Sequence, residues 1–414
     1  MPQRKKIAII GAGAAGCFCA VNIAEMSDEM DVCVFEAATR PMHKLSLTGG
    51  GRCNITNTFD EVDSLAEVYP RGHRLLKSLF YSLDNERTAQ WFENHGIRLY
   101  AQDDNRIFPQ SDDAMEVVDR LAELMAEHNV RLTTNSKVTA INKHDDGKFS
   151  LTFADDGDRK ETFDGVVVTT GGMSHSPLME SLRALGHEMA EPVPSLFSLK
   201  VKDDALTSLM GATVASASVM ITGTKLRAEG GLLVTHFGFS GPAVLRLSSY
   251  AARALAESNY RCEIAVNWTN TSEDETRASI QKLIKANAAK NVLSAHPEQL
   301  TKRLWEYLTA KAEISKDRTF AELGKKNVNK LVTVLTSDTY HVNGRGQYKE
   351  EFVTSGGVAL SGINPKTLES KSVAGLFFAG EVMDIDAVTG GFNLQAAWTT
   401  GYVAARNIVE SLRS

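Results

Sequence analysis

Two side chains in this 414-residue chain stand where they could hand over a proton. The first is Cys53, set between Arg52 and Asn54 in the stretch LTGGGRCNITN, Leu47 to Asn57. A thiol there is tunable, because its pKa answers to nearby charge and to burial. The second is His236, on the expected turn of GLLVTHFGFSGPA, the side-chain type most used for proton transfer near neutral pH. The stretch around Cys53 also poses a backbone question. A linker would mix glycine with serine, and a core strand would not set Arg, Cys and Asn in a row. Three bare residues, Gly49, Gly50 and Gly51, beside one cation suit a loop whose N–H groups reach a large planar or phosphorylated ligand.

Such a loop needs a scaffold, and the N-terminus supplies one. Residues 6–25 read KIAIIGAGAAGCFCAVNIAE, an apolar strand, a Gly11-Ala-Gly13-Ala14-Ala15-Gly16 turn and a helical pattern. Gly11 permits the tight turn, Gly13 lets backbone approach a diphosphate, and Gly16 lets the helix pack on the strand. The helix start offers free N–H groups and partial positive charge to the phosphates. A second strand, DVCVFE, ends at Glu36, where an acid can bind a ribose hydroxyl. Arg40, His43 and Lys44 then put positive charge near the phosphates, and Thr48 leads into the glycine loop. An NAD-only domain would run on into plain βαβ units, whereas this order suits a flavin dinucleotide.

Two later stretches agree. FDGVVVTTGG (163–172) is an apolar strand closing on Gly171-Gly172. GLFFAGEVMDIDAVTGGFNLQ (375–395) is another strand, ending at Gly380-Glu381 and followed by Gly390-Gly391-Phe392-Asn393-Leu394-Gln395. Residues 394–410 have helical spacing, and that helix end would stabilise negative charge on a reduced flavin.

TGGGRCNITN, GLLVTHFGFSGPAVL and GLFFAGEVMDIDAVTGGFNLQAAWTTG together resemble the bacterial BaiN/YhiN-type NAD(P)/FAD-dependent oxidoreductase family, over nearly the whole chain. The resemblance implies FAD, with its diphosphate at Gly13 to Gly16 and its adenosine ribose at Glu36. It sets the TGGGRCN loop along the flavin, the Gly390 to Gln395 turn at the ring, and the Val138 backbone at the adenine. Where wider flavoproteins carry Gly-Asp, this chain has Gly380-Glu381 with Asp384 close by, so either acid is open to meet the ribitol. Family members have been linked to reducing a uracil base in ribosomal RNA and to double-bond reduction in bile acids.

Between these flavin segments the pattern changes. The expected organisation is α/β, a discontinuous Rossmann-like FAD-binding domain (1–192 and 345–414) split by an inserted domain of strands and helices at 193–344. SLFSLKV (195–201) and ATVASASVMIT (212–222) alternate as strands, Ser240 is placed to cap a helix with Pro242 in its first turn, and 273–290, 297–313 and 319–336 read as helices. The insert holds 19 Lys+Arg and 14 Asp+Glu in a chain of net charge -6. Lys325, Lys326 and Lys330 fall together on one expected helix. Solvated helix faces account for such cations, and an anionic partner such as RNA is the functional alternative.

Five cysteines, an odd number at irregular spacing, suggest neither a disulfide framework nor a metal site, and suit a reducing cytoplasm. The apolar run Ile7 to Ile10 is too short for a signal peptide, and no stretch approaches a membrane span. The expectation is a cytoplasmic flavoenzyme passing hydride to an activated C=C bond. Cys53 or His236 would give the proton. With no second GxGxxG, NAD(P)H would bind transiently as electron donor. The competing readings are an FAD-dependent oxidase or dehydrogenase of a small amine or hydroxy compound, and an FAD-containing RNA- or ribosome-associated binding protein.

Overall fold

The computed structural model describes residues 4–154, 161–172, 176–346 and 353–413. The chain forms two compact units, Met1–Val193 with Val353–Ser414, and Pro194–Phe352.

The first unit is built on five parallel strands, β1 (Lys5–Ile10), β2 (Met30–Phe35), β3 (Arg131–Thr133), β4 (Gly165–Val168) and β5 (Leu376–Phe378), in the order β5-β4-β1-β2-β3. Strands covered on both faces read as apolar runs rather than alternations, and all four residues of β4, GVVV, are buried. The order reverses at β1, which has β2 on one side and β4 on the other. Ligands of open α/β sheets bind at that reversal, beyond the carboxyl ends of the strands.

Three helices frame that end: α1 (Ala14–Met26), α2 (His43–Gly51) and the 22-residue α3 (Phe392–Arg413). Between α1 and α3 lies an aromatic cluster, with the Phe18 ring 4.4 Å from Trp91, 5.2 Å from Trp398 and 6.0 Å from Phe92. Such packing holds the two helix starts rigidly. Cys17, Cys19 and Cys33 are buried core residues.

The second unit is a closed antiparallel barrel. Its strands run in the order Leu199–Val201, Gly238–Ser240, Arg227–Thr235, Thr213–Ile221, Arg261–Asn267 and Asp338–Arg345. Closure leaves no free strand edge. Helices Pro242–Tyr250, Glu273–Ala286, Lys302–Lys311 and Lys325–Thr336 belong to this unit. Its core includes Phe239, Trp268 and Trp305, all buried. One expectation fails here. Ser240 does not cap the following helix; it ends a strand, and its hydroxyl accepts a hydrogen bond from Ser198 at 2.7 Å. Gly241 takes the cap position, with a φ of 94°, and Pro242 opens the helix.

Candidate cofactor site

The β1–α1 turn is fastened before any ligand is considered. The Gly11 N–H donates to Phe35 O at 2.8 Å. A Cβ on Gly16 would lie 2.0 Å from Gly11 O and 2.6 Å from Thr169 Oγ1, so only glycine lets α1 seat on the sheet. Gly13 differs: a Cβ there would meet nothing within 4 Å. Gly13 caps α1 without a side-chain hydrogen bond, and no acid stands in the first turn. The start of α1 therefore keeps its positive end for an anion.

Glu36 sits just past β2. Its carboxylate accepts from the N–H groups of Ala12, at 2.7 Å, and Ala38, at 2.8 Å. Its backbone is clasped by the next strand region, with Glu36 N–H to Thr133 O at 2.9 Å and Ser136 N–H to Glu36 O at 2.7 Å. Val138, buried, opens a strand two residues further on. Met42 N–H donates to Ala12 O at 2.7 Å, which ties the start of α2 to the same turn. Arg40, His43 and Lys44 are exposed around that point.

The glycine stretch is not the plain loop expected. HKLSL has helical spacing and makes one helical turn, and then Gly49, Gly50 and Gly51 all take left-handed backbone, with φ of 61°, 73° and 85°. Glycines end a helix this way at no steric cost. A Cβ on Gly49 would press on Phe108 at 2.9 Å, whereas at Gly50 and Gly51 it would meet nothing within 4 Å. The Arg52 guanidinium lies 4.3 Å from the centre of the Phe108 ring and 3.7 Å from Asp112, and its Nε donates to Gly49 O at 3.2 Å. Arg52 thus braces the loop. Cys53 is wholly buried, and its N–H donates to Thr48 O at 3.0 Å. Burial pushes its thiol up to about 12, against a smaller lowering by the Thr48 hydrogen bond.

The residues after Cys53 lace this loop to the start of α3. The Asn54 carboxamide, oriented to satisfy both ends, accepts from Gly391 N–H and donates to Thr56 O, each at 2.9 Å. Asn57 Nδ2 donates to Gly390 O at 3.0 Å, and Thr56 Oγ1 to Gln395 Oε1 at 2.6 Å. Gln395 Nε2 in turn donates to Thr88 and Thr399. The Phe392 carbonyl accepts from Tyr69 OH at 2.8 Å, and the Asn393 carboxamide bonds Ala387 in both directions. Leu394 is half-buried. No acid stands in the first turn of α3, whose leading N–H groups have no partner within the helix.

Glu381 follows β5. Its carboxylate accepts from Thr354 N–H at 2.6 Å and lies 3.9 Å from Lys44 Nζ, and a Cβ on Gly171 would be 3.5 Å from it. Gly380 N–H is held by Thr400 Oγ1 at 2.9 Å. Asp384 donates its own N–H to Val358 O at 3.0 Å and is half-buried. The Thr170 hydroxyl, beside Gly171, is buried with no hydrogen-bond partner. Open space above Gly13, Gly50 and Gly51, an unpartnered Thr170 hydroxyl and two helix starts free of acids all fit an extended flavin dinucleotide. Sequence reasoning passed over Thr354 and the Asn54, Thr56 and Asn57 contacts. The TSGG run at 354–357 was the available signal, polar residues and paired glycines inside an otherwise apolar stretch.

His236 belongs to the second unit, exposed on the turn between Arg227–Thr235 and Gly238–Ser240. Its ring meets Phe237 edge-on at 4.8 Å. Among the described residues, no group of three or more His, Cys, Asp or Glu could hold a metal ion. No helix among them is long and apolar enough to cross a membrane.

A parallel sheet with its reversal at β1, a GxGxxG turn and a glycine loop facing a helix start define a Rossmann-type dinucleotide-binding protein. The chain belongs to the family described as the HI0933-like protein Rossmann domain, which matches residues 5–407. It is an FAD-dependent oxidoreductase. It is 30% identical to the "Ribosomal RNA dihydrouridine synthase" of Escherichia coli (strain K12), covering 100% of both chains. It is 28% identical to the "3-dehydro-bile acid delta(4,6)-reductase" of Clostridium scindens, covering 98% of this chain and 99% of that one. Among solved structures, the 3-ketosteroid delta1-dehydrogenase from Sterolibacterium denitrificans shares the fold with a TM-score of 0.51 at 13% identity, covering 99% of this chain and 100% of that one.

Proposed function

We propose that the protein reduces an electron-poor carbon–carbon double bond, drawing its electrons from NAD(P)H. The observation that carries this reading is the left-handed glycine loop laced by Asn54, Thr56 and Asn57 to the start of α3. With a flavin bound as proposed, that arrangement would aim N–H groups at the place where the reduced ring gathers negative charge. Gly13, Ala14, Ala15 and Gly16 would hold the FAD diphosphate, with Arg40, His43 and Lys44 as surrounding cations. Glu36 would hold the adenosine ribose, and the Val138 backbone the adenine. Thr48 to Cys53 would lie along the flavin, Glu381 beside the ribitol, and Gly390 to Leu394 at the ring. FAD, when bound, supplies hydride transfer at its N5.

A buried thiol held near 12 is poorly matched to giving a proton at neutral pH, so we assign Cys53 to the packing of its loop. The reaction class is supported by relatives that match over their full length. Dihydrouridine and a delta(4,6)-reduced bile acid both result from adding two hydrogens across C=C.

The substrate we favour is a uracil base in ribosomal RNA. The relative at 30% identity and the exposed Lys325 and Lys326 on the second unit support it. An unsaturated 3-oxo steroid is the second reading, supported by the Clostridium scindens relative.

The experiment is direct. Protein is reduced with NADPH under nitrogen, then offered ribosomal RNA or a conjugated steroid enone, and flavin reoxidation is followed. Nucleosides are analysed for dihydrouridine. Reoxidation by RNA with dihydrouridine formed is the expected result. Reoxidation by the enone alone transfers the proposal to the steroid class. A flavin that neither substrate reoxidises, but that a small amine or hydroxy compound reduces and air reoxidises, would refute double-bond reduction.

A further inference from the structure

We propose that the buried Arg71–Asp386 ion pair is a positioning element, setting the loop Ile385–Gly391 and through it the field that the start of α3 applies to the flavin. The inference rests on the flavin reading above and adds a control point at residues that reading does not assign to the ligand.

Asp386 has no side-chain exposure, and Arg71 has 13%. Arg71 grips the carboxylate with two nitrogens, Nε on Oδ1 and Nη2 on Oδ2, and the two backbones also form an antiparallel bridge. A two-point fork specifies orientation as well as charge. The grip is reinforced on either side. Val388 N–H donates to Val68 O at 2.9 Å, and a Cβ on Gly72 would strike Ile385 at 2.6 Å. Tyr69 OH holds the carbonyl of Phe392, the first residue of α3, at 2.8 Å. The segment Val68 to Gly72 therefore clamps the loop at successive points up to the helix start.

Buried ion pairs contribute little to stability relative to a well-packed apolar pair. Their use here is geometric. Asp386 also places an anion six residues before Phe392. The Arg71 fork neutralises it, so that the positive end of α3 faces the ligand undiminished. Removing the fork would let the loop shift and would leave the Asp386 carboxylate without its guanidinium, six residues before the helix start.

Sulfite provides the readout, because it bleaches a bound flavin most readily where positive potential stabilises added negative charge. Three variants are compared with wild type as FAD-loaded protein: Arg71→Lys, Arg71→Met, and the double variant Arg71→Met with Asp386→Leu. Arg71→Lys keeps the charge and loses the fork. The double variant leaves neither charge of this pair buried and is expected to fold. Arg71→Met is expected to raise the sulfite dissociation constant about tenfold, a change on the order of a helix-terminus charge effect, and the double variant, which loses the fork but carries no anion, about threefold. Arg71→Lys is expected to fall between wild type and Arg71→Met, while the double variant melts within a few degrees of wild type. A pair serving stability alone would shift melting temperatures and leave sulfite affinity within twofold in Arg71→Lys and the double variant; that result overturns the proposal. Wild-type protein that takes up no FAD would instead overturn the flavin reading.

Discussion

Two glycines of one turn should respond to the same substitution in opposite ways. Gly13→Ala adds a methyl where nothing lies within 4 Å, at an extended backbone with φ -84° and ψ -169° that any residue adopts. The stability cost to the apoprotein is about 0.5 kcal/mol, the difference between a typical loss on capping with alanine, about 1 kcal/mol, and the few tenths lost on capping with glycine. Gly16→Ala adds a methyl 2.0 Å from Gly11 O and 2.6 Å from Thr169 Oγ1. Those oxygens are already joined by a 2.7 Å hydrogen bond, so neither can retreat freely. Overpacking of this kind costs roughly 1–3 kcal/mol. The better helix propensity of alanine, about 1 kcal/mol, offsets only part of a contact this close. The expected net loss is about 2 kcal/mol. FAD affinity should rank the other way. A methyl on Gly13 would occupy the approach proposed for the diphosphate, and losing two charge-assisted hydrogen bonds at about 1.5 kcal/mol each would weaken binding roughly a hundredfold. Urea denaturation of the two apoproteins, with flavin-fluorescence titration of each, reads both quantities. Equal loss of apoprotein stability in the two variants, or wild-type FAD affinity in Gly13→Ala, would refute the division into a packing glycine and a ligand glycine.

Cys53→Ala should keep FAD and hold turnover within about threefold; a drop of roughly 10²–10⁴ would return the thiol to the role of general acid. His187 is buried, accepts or donates to Ser370 Oγ at 3.1 Å and stands edge-on to Phe378, and burial lowers its pKa below 6.5. The unfolded chain therefore takes up that proton first, and stability should fall as pH drops through about 6.5 until the folded state protonates too. Urea midpoints at two pH values on either side of that point should differ less in His187→Gln than in wild type, and an equal difference would clear His187 of the effect. Neutralising Lys325 and Lys326 should flatten the salt dependence of RNA binding by roughly 0.7–0.9 per lost phosphate contact. Lys330→Ala should add little, since Lys330 is ion-paired with Glu313. An unchanged slope, or no salt-sensitive RNA affinity in wild type beyond that of an acidic control flavoprotein, would sink the idea.

What could be read from the chain alone was what short spacing carries. The GAGAAG turn, Glu36 at the end of β2 and the paired glycines before α3 each announce themselves within a few residues, because a turn or a helix start is a local structure. The contacts that assemble those pieces are not local. Thr56 meets Gln395 across 339 positions, and Arg71 meets Asp386 across 315. No periodicity marks such partners, and each side chain taken singly reads as an ordinary polar surface residue. The strand order is hidden for the same reason: β5 joins β4 only after the second unit has intervened in the chain. Ser240 shows the opposite failure, a correct local propensity overruled. Its hydroxyl suits a helix cap, but barrel closure brings Ser198 to it, and the cap passes to Gly241, whose left-handed backbone continues the strand into the helix. The glycine loop combines both cases. HKLSL forms its turn from local spacing, whereas the bracing of Arg52 on Phe108 and Asp112 decides which way the following backbone faces. Residues that touch a ligand can thus be found by type and spacing, while those that aim them are found only where the fold has folded back on itself.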